Sequence, residues 1–198
     1  MAYMPVAQQT AWQTSNDIDL SSTAILVIDV LGGTDPIPEA FAEPIGACVS
    51  IVKAARAKGV PVIFSDDNHI PAYDREIELW GEHGIRGTQG GEPVAAFDLQ
   101  PSDIVIPKRR YDGFFQTDLD LTLRELGVDT LIAVGADANI CVLQTLAGAY
   151  FRGYKTIVPA DAVWTFLVGT YEGALEYYTR CYDTRVVESK TILEDYLA

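Results

Sequence analysis

Cys141 closes the run Gly135-Ala136-Asp137-Ala138-Asn139-Ile140, which follows the apolar stretch Thr130 to Val134 and precedes a helical segment ending at Phe151. The thiol therefore falls where a buried strand gives way to a helix. Backbone N–H groups at a helix start have no intrahelical partner, and the helix dipole is positive there. Both effects favour the thiolate, the nucleophilic form of cysteine. A thiolate beside free N–H donors can attack a carbonyl carbon while the donors hold the resulting oxyanion. This placement predicts one thiol that alkylates quickly at neutral pH. A lone cysteine at such a point more often serves only packing. Here Asp29, Asp67 and Lys108 also follow apolar, strand-like runs, so four chemically useful side chains stand at strand ends.

The elements that must position them follow from the apolar pattern. Strands are predicted at 23–29, 60–66, 103–107, 130–134, 155–159 and 184–187, and helices at 45–58, 119–126, 142–151 and 171–182. Residues 67–97 are rich in Gly and Pro and have no clean period. They read as a long functional loop with room for one short helix. Continuous apolar strands alternating with helices imply an α/β fold: three αβα layers around a mostly parallel, doubly wound sheet of about six strands. Ligands of such sheets bind at the carboxyl ends of the strands. Residues 1–20 read as an N-terminal arm and 21–198 as a single domain. Gly32-Gly33 lacks the spacing of a dinucleotide-binding loop, so no organic cofactor is expected.

Composition narrows the function classes. The chain has 198 residues, 48% of them hydrophobic, and a net charge of −14. Nucleic acid is an unsuitable partner for so acidic a chain, because phosphate binding needs clustered Lys and Arg. No apolar run reaches membrane-spanning length. Three cysteines do not make a disulfide framework, which points to a reducing cytoplasm.

Asp after the first strand, Lys after the third and Cys after the fourth resemble the isochorismatase-like cysteine hydrolases, a superfamily that includes nicotinamidases, N-carbamoylsarcosine amidases and ureide or biuret hydrolases. The resemblance runs from about Thr23 to Val187. It is most specific at Ile106-Pro107-Lys108-Arg109-Arg110-Tyr111-Asp112-Gly113-Phe114-Phe115 and at Gly135 to Val142. It implies a catalytic triad of Asp29, Lys108 and Cys141, and a cis peptide at Ala136-Asp137. It also implies an oxyanion hole from the N–H groups of Asp137 and Cys141, and assembly as a dimer or tetramer. Many relatives follow the aspartate with Gln-Asn-Asp-Phe, whereas Asp29 is followed by Val30-Leu31-Gly32-Gly33. That departure bears on the substrate more than on the mechanism.

Both histidines fall in the long loop, in Asp67-Asn68-His69-Ile70-Pro71 and Trp80-Gly81-Glu82-His83-Gly84. The segment resembles the metal-binding stretch of nicotinamidases, which implies Asp67, His69 and His83 as ligands of one divalent ion, zinc foremost. Two imidazoles and a carboxylate leave positions open, as catalytic sites do. The other reading is that the histidines only brace the loop, and Asp66 and Asp74 are the alternative ligands. Trp80 matches an aromatic that stacks on substrate in some nicotinamidases. Phe114 is the second expected substrate contact, although Phe114 and Phe115 could equally pack a helix start. The resulting expectation is hydrolysis of a small carboxamide or ureide through a thioester on Cys141. The alternatives are a metal-free carbamoyl or biuret-type amidohydrolase, a vinyl-ether-cleaving isochorismatase, and a non-catalytic protein of the same fold.

Overall fold

The computed structural model describes residues 8–198; residues 1–7, the first part of the expected arm, lie outside the described residues. In chain order the elements are α1 (Ala11–Thr14), β1 (Thr23–Ile28), α2 (Glu39–Ala57), β2 (Val62–Asp67), α3 (Glu76–Trp80), β3 (Ile104–Lys108), α4 (Leu119–Glu125), β4 (Thr130–Gly135), α5 (Cys141–Phe151), β5 (Lys155–Pro159), α6 (Tyr171–Tyr182), β6 (Arg185–Val187) and α7 (Ser189–Thr191). A π-helical turn, Ile192–Tyr196, follows α7 directly. The six strands form one sheet in the order β3-β2-β1-β4-β5-β6, and every neighbouring pair is parallel. This is the α/β doubly wound arrangement expected from the sequence.

Alternation along each strand divides the core in two. Leu26 and Ile28 of β1, Ile63, Ile106, Leu131 and Ala133 pack with Leu119 of α4, Leu146 of α5 and Tyr178 of α6. Ile25, Val27, Phe64, Ile132 and Val134 pack with Cys48, Ile51 and Val52 of α2 and with Ile192 and Tyr196 at the C-terminus. Both faces of the sheet are thus covered, and every residue of β1, β2 and β4 is buried. Among the described residues no helix is long and apolar enough to cross a membrane.

Helix α2 starts six residues earlier than the sequence predicts and carries Pro44 inside it. Proline disfavours a helix interior because it removes one backbone donor. Tertiary packing overrides that here: Phe41, in the first turn, stacks on Trp164 with ring centroids 5.9 Å apart. At the other end of the chain order, α1 lies against β6. The Arg185 guanidinium sits 3.8 Å over the Trp12 ring and donates from Nε to the Trp12 carbonyl at 2.9 Å.

The chain leaves β1 toward β2 and β3 on one side and leaves β4 toward β5 and β6 on the other. A crevice opens between β1 and β4, where the connections diverge. At its floor Gly135 pairs with Ile28, with φ +119°. A Cβ on Gly135 would lie 2.1 Å from the Ile28 carbonyl oxygen. Gly135→Ala is therefore expected to lose at least about 2 kcal/mol of stability, from backbone strain plus that overlap. Urea unfolding of the variant checks this, and an unchanged midpoint would refute the close approach.

Candidate active site

Parallel pairing brings the first charged residues together. Lys108 closes β3 and Asp67 closes β2, and the two are register partners. Asp29 follows β1 in a left-handed conformation, φ +49°. A regular strand would send it to the face opposite Ile28. The left-handed turn instead brings its carboxylate to Lys108, and Asp29 Oδ1 accepts a hydrogen bond from Asp67 N at 2.7 Å. Lys108 Nζ lies 2.6 Å from Asp29 Oδ2, donates to Asp67 Oδ1, and stands 3.7 Å from Cys141 Sγ. Cys141 is the first residue of α5. Lys108 and Cys141 are both buried.

The charges in this cluster set one another. Burial would push the Lys108 ammonium down, but Asp29, Cys141 and Asp67 raise it well above its ordinary value. Burial and the charge of Asp67 push Asp29 up to about 6, against Lys108 and a hydrogen bond with Cys141. Burial also acts on Asp67, but Lys108 and His69 outweigh it and hold that carboxyl down to about 2. The Cys141 thiol is pushed well above its ordinary range by burial and by Asp29, with Lys108 opposing. These directions favour the thiol over the thiolate in the resting site. The helix start and Lys108 act for the thiolate, and burial and the two carboxylates act against it.

Before Cys141 the Ala136–Asp137 peptide is cis. The Asp137 carbonyl accepts from Ile140 N and Val142 N at 3.0 and 3.1 Å. Among the described residues, the N–H groups of Asp137 and Cys141 donate to no protein acceptor. A cavity of about 230 Å³ opens over the cysteine. Its lining joins Cys141, Asp67, His83 and Asp137 to Trp80, Tyr111, Ile140, Phe166 and Leu167. Trp80 is brought to the cavity and donates from Nε1 to the Tyr111 hydroxyl at 2.8 Å. Phe114 is not at the cavity. It is buried in the core and stacks on Tyr154 at 5.6 Å, under the Arg152 guanidinium. Tyr111, three residues earlier, supplies the aromatic wall instead.

The two histidines also converge. His69 and Ile85 form a parallel bridge, with His69 N donating to the Gly84 carbonyl at 2.8 Å and Arg86 N to the His69 carbonyl at 3.0 Å. Gly84 has φ +50°, and a Cβ there would lie 2.6 Å from the Asp67 Cβ, so only glycine lets the loop cross Asp67. The imidazole centroids are 4.7 Å apart. Asp67 Oδ2 lies 3.5 Å from His69 Nε2 and 3.8 Å from His83 Nε2. Nitrogen and oxygen ligands about 2 Å from one ion stand roughly 3 Å or more apart, so the set fits a metal. His83 Nδ1 meets the Gly81 carbonyl at 2.8 Å, which leaves Nε2 as the free lone pair. Both His69 nitrogens and both Glu76 carboxylate oxygens are buried without a hydrogen-bond partner, and Glu76 Oε2 is 3.7 Å from His69 Nε2. Glu76 thus borders the cluster, a neighbour hidden in the sequence because α3 lies in a segment without apolar period. Of the alternative ligands, Asp74 also borders His69, its Oδ2 3.5 Å from Nδ1, but its carboxylate is taken up by arginine. Asp66 alternates to the opposite face from Asp67, and Asp74 accepts from Arg109 Nε and Nη2 at 2.6 to 3.0 Å.

The isochorismatase domain model matches residues 23–188, and the chain belongs to that family. Among solved structures it is similar to N-carbamoylsarcosine amidase from Thermoplasma acidophilum, at 35% identity over 85% of this chain and 96% of that one, with a TM-score of 0.76. It is also similar to the nicotinamidase/pyrazinamidase PncA from Bacillus subtilis, at 27% identity over 84% of this chain and 100% of that one, TM-score 0.75. Ureidoacrylate amidohydrolase RutB of Methylobacterium radiotolerans is 31% identical over 185 residues, 73% of this chain and 68% of that protein. Within the family, the chain is a hydrolase that acts on amide C–N bonds.

Replacing Lys108 separates its two roles. Lys108→Met leaves two buried carboxylates without their cation, which is expected to cost about 3–5 kcal/mol of stability. It should also slow iodoacetamide alkylation of Cys141, because the one group that lowers the thiol pKa is gone. Alkylation followed against pH, with unfolding measured in parallel, checks both. An unchanged alkylation profile would place the ammonium outside the reach of the sulfur.

Proposed function

We propose that the chain hydrolyses a small carboxamide or ureide through a thioester on Cys141, in the manner of a nicotinamidase. The observation that carries this is the Lys108 ammonium, 2.6 Å from Asp29 and 3.7 Å from the Cys141 sulfur in one buried contact. Asp29 takes the thiol proton as sulfur attacks the carbonyl carbon. The C–S bond forms, and the oxyanion is held by the N–H groups of Asp137 and Cys141. The C–N bond then breaks, and Asp29 returns its proton to the departing nitrogen, leaving the thioester. Water attacks the thioester while Asp29 accepts a proton from it. That proton returns to sulfur as the acid is released. Lys108 stays charged throughout and stabilises the thiolate in transit. An Asp29 pKa of about 6 suits a group that must both take and give a proton near neutrality.

Trp80, Tyr111, Ile140, Phe166 and Leu167 favour an uncharged, flat acyl group, and no Lys or Arg lines the cavity among the described residues. Asp67, His69 and His83, with Glu76 beside them, would hold one divalent ion, zinc foremost for this donor set. Such an ion would polarise or orient the substrate, since Cys141 already supplies the nucleophile. Similarity to an N-carbamoylsarcosine amidase and a ureidoacrylate amidohydrolase favours, as the second reading, a metal-free ureide or carbamoyl amidase. The contact of Cys141 with Lys108 weighs against vinyl-ether cleavage and against a bare scaffold. Exposed Tyr150, Phe151 and Tyr177 on α5 and α6 support assembly into a homo-oligomer. Three unpaired cysteines support a cytoplasmic location.

Ammonia release from nicotinamide, pyrazinamide, biuret, N-carbamoyl amino acids and maleamate tests the reaction. On the best of these, Cys141→Ser and Asp29→Asn should each lose about a thousand-fold or more in kcat. Retention of full turnover by either would remove that residue from the mechanism. In the wild type kcat/KM should fall as pH drops through about 6, because protonated Asp29 can no longer accept the thiol proton. A flat profile across that point would contradict the base assignment.

Purified protein should carry about one equivalent of divalent metal, and His69→Ala and His83→Ala should lose both metal and most activity. Metal-free protein with both variants fully active would decide for the second reading.

A further inference from the structure

Phe166 stands on the loop between β5 and α6 with 56% of its surface exposed, yet it borders three cavities. One is the Cys141 cavity. The second, of about 290 Å³, is apolar, with Ile37, Phe41, Ile45 and Trp164 in its lining. The third, of about 480 Å³, reaches His83 and Asp29. The Phe166 ring is the one side chain common to all three linings, and Asp29 also borders the second and third. The ring leans on Phe41 with centroids 5.4 Å apart.

The Phe166 amide itself is held by one side chain, while Asn139 Nδ2 bonds the loop on either side of it, at Thr165 Oγ1 and the Thr170 carbonyl. The Asp137 carboxylate, almost fully buried, accepts from Phe166 N at 2.8 Å, Leu167 N at 3.1 Å and Thr165 Oγ1 at 3.0 and 3.1 Å. It also accepts from Asn139 N at 2.8 Å, inside the turn that leads to Cys141. Hydrogen bonds to a carboxylate are roughly twice as strong as neutral ones. The turn that presents the nucleophile and the loop that walls its cavity are therefore tied to the same carboxylate.

We propose that Phe166 is the specificity-determining wall of the acyl site and that Asp137, through its side chain, is the residue that positions it. The proposal rests on Cys141 being the nucleophile. Removing the ring joins the Cys141 cavity to the apolar cavity, so larger apolar groups reach the sulfur. Releasing the tether lets the ring move aside, with the same effect to a lesser degree.

The test uses Cys141 itself and needs no substrate. In a Cys181→Ala background, which removes the exposed thiol, alkylation of Cys141 is followed by peptide mass mapping. The probes are iodoacetamide and its bulkier N-benzyl derivative. Phe166→Ala should raise the ratio of bulky to small alkylation about tenfold or more, the scale at which pockets discriminate apolar size. Asp137→Asn should raise it less, and Thr165→Val serves the same purpose if Asp137→Asn does not fold. An unchanged ratio in Phe166→Ala would overturn the wall while leaving the nucleophile intact. A ratio moved by Phe166→Ala but not by either tether variant would overturn the role of Asp137. No labelling of Cys141 by iodoacetamide in any of these proteins, even at alkaline pH where the thiolate forms, would overturn the nucleophile reading and the wall with it.

Discussion

A fully buried ammonium is the constraint on which the site is built. Taking a lysine head group out of water costs on the order of several kcal/mol, and only close anions offset it. Lys108 has two, Asp29 and Asp67, and both approach within hydrogen-bonding distance. Neither can do so unless β1, β2 and β3 end level with one another, which parallel pairing in this register supplies. The left-handed turn at Asp29 is part of the same requirement. Once the three charges are in place, each has a lone pair or proton left over. The ammonium faces sulfur, Asp29 has a pKa poised for proton transfer, and the second oxygen of Asp67 faces the imidazoles.

Asp67 consequently belongs to two centres. One oxygen accepts from Lys108 and the other faces His69 and His83. The histidine cluster and the Lys108–Cys141 cluster are therefore one electrostatic unit rather than neighbours. β4 completes it from the other side of the switch point, because it is the strand beside β1 and runs directly into the Cys141 turn. Two strands that are far apart in sequence but adjacent in the sheet thus deliver Asp29 and Cys141 to one contact.

Much of this was legible in the sequence, for a physical reason. Continuous apolar runs bounded by Gly or a charge mark buried parallel strands, so the ends bearing Asp29, Asp67, Lys108 and Cys141 could be placed without coordinates. What escaped depends on groups brought together only by folding. The protonation of Cys141 reflects burial and two carboxylates from other strands. The early start of α2 reflects Phe41 meeting Trp164, which no helix propensity encodes. Glu76 and Phe166 lie in segments without period, where a charged or aromatic residue ordinarily faces solvent. Phe114 and Tyr111 differ in fate because the turn after β3 sends one ring into the core and the other to the cavity.

The short bridge between His69 and Ile85 has a consequence for how such a protein can diversify. It pins both ends of the intervening stretch, residues 70–84, to the edge of the site. That stretch carries α3 and Trp80, a wall of the cavity, while His69 and His83 sit at its anchored margins. Between the anchors, Asp74 and Glu76 are held against His69, whereas half-exposed Trp80 can be exchanged with less disturbance of the histidines. Evolution is free to retailor the chamber from a cassette whose hinges stay fixed.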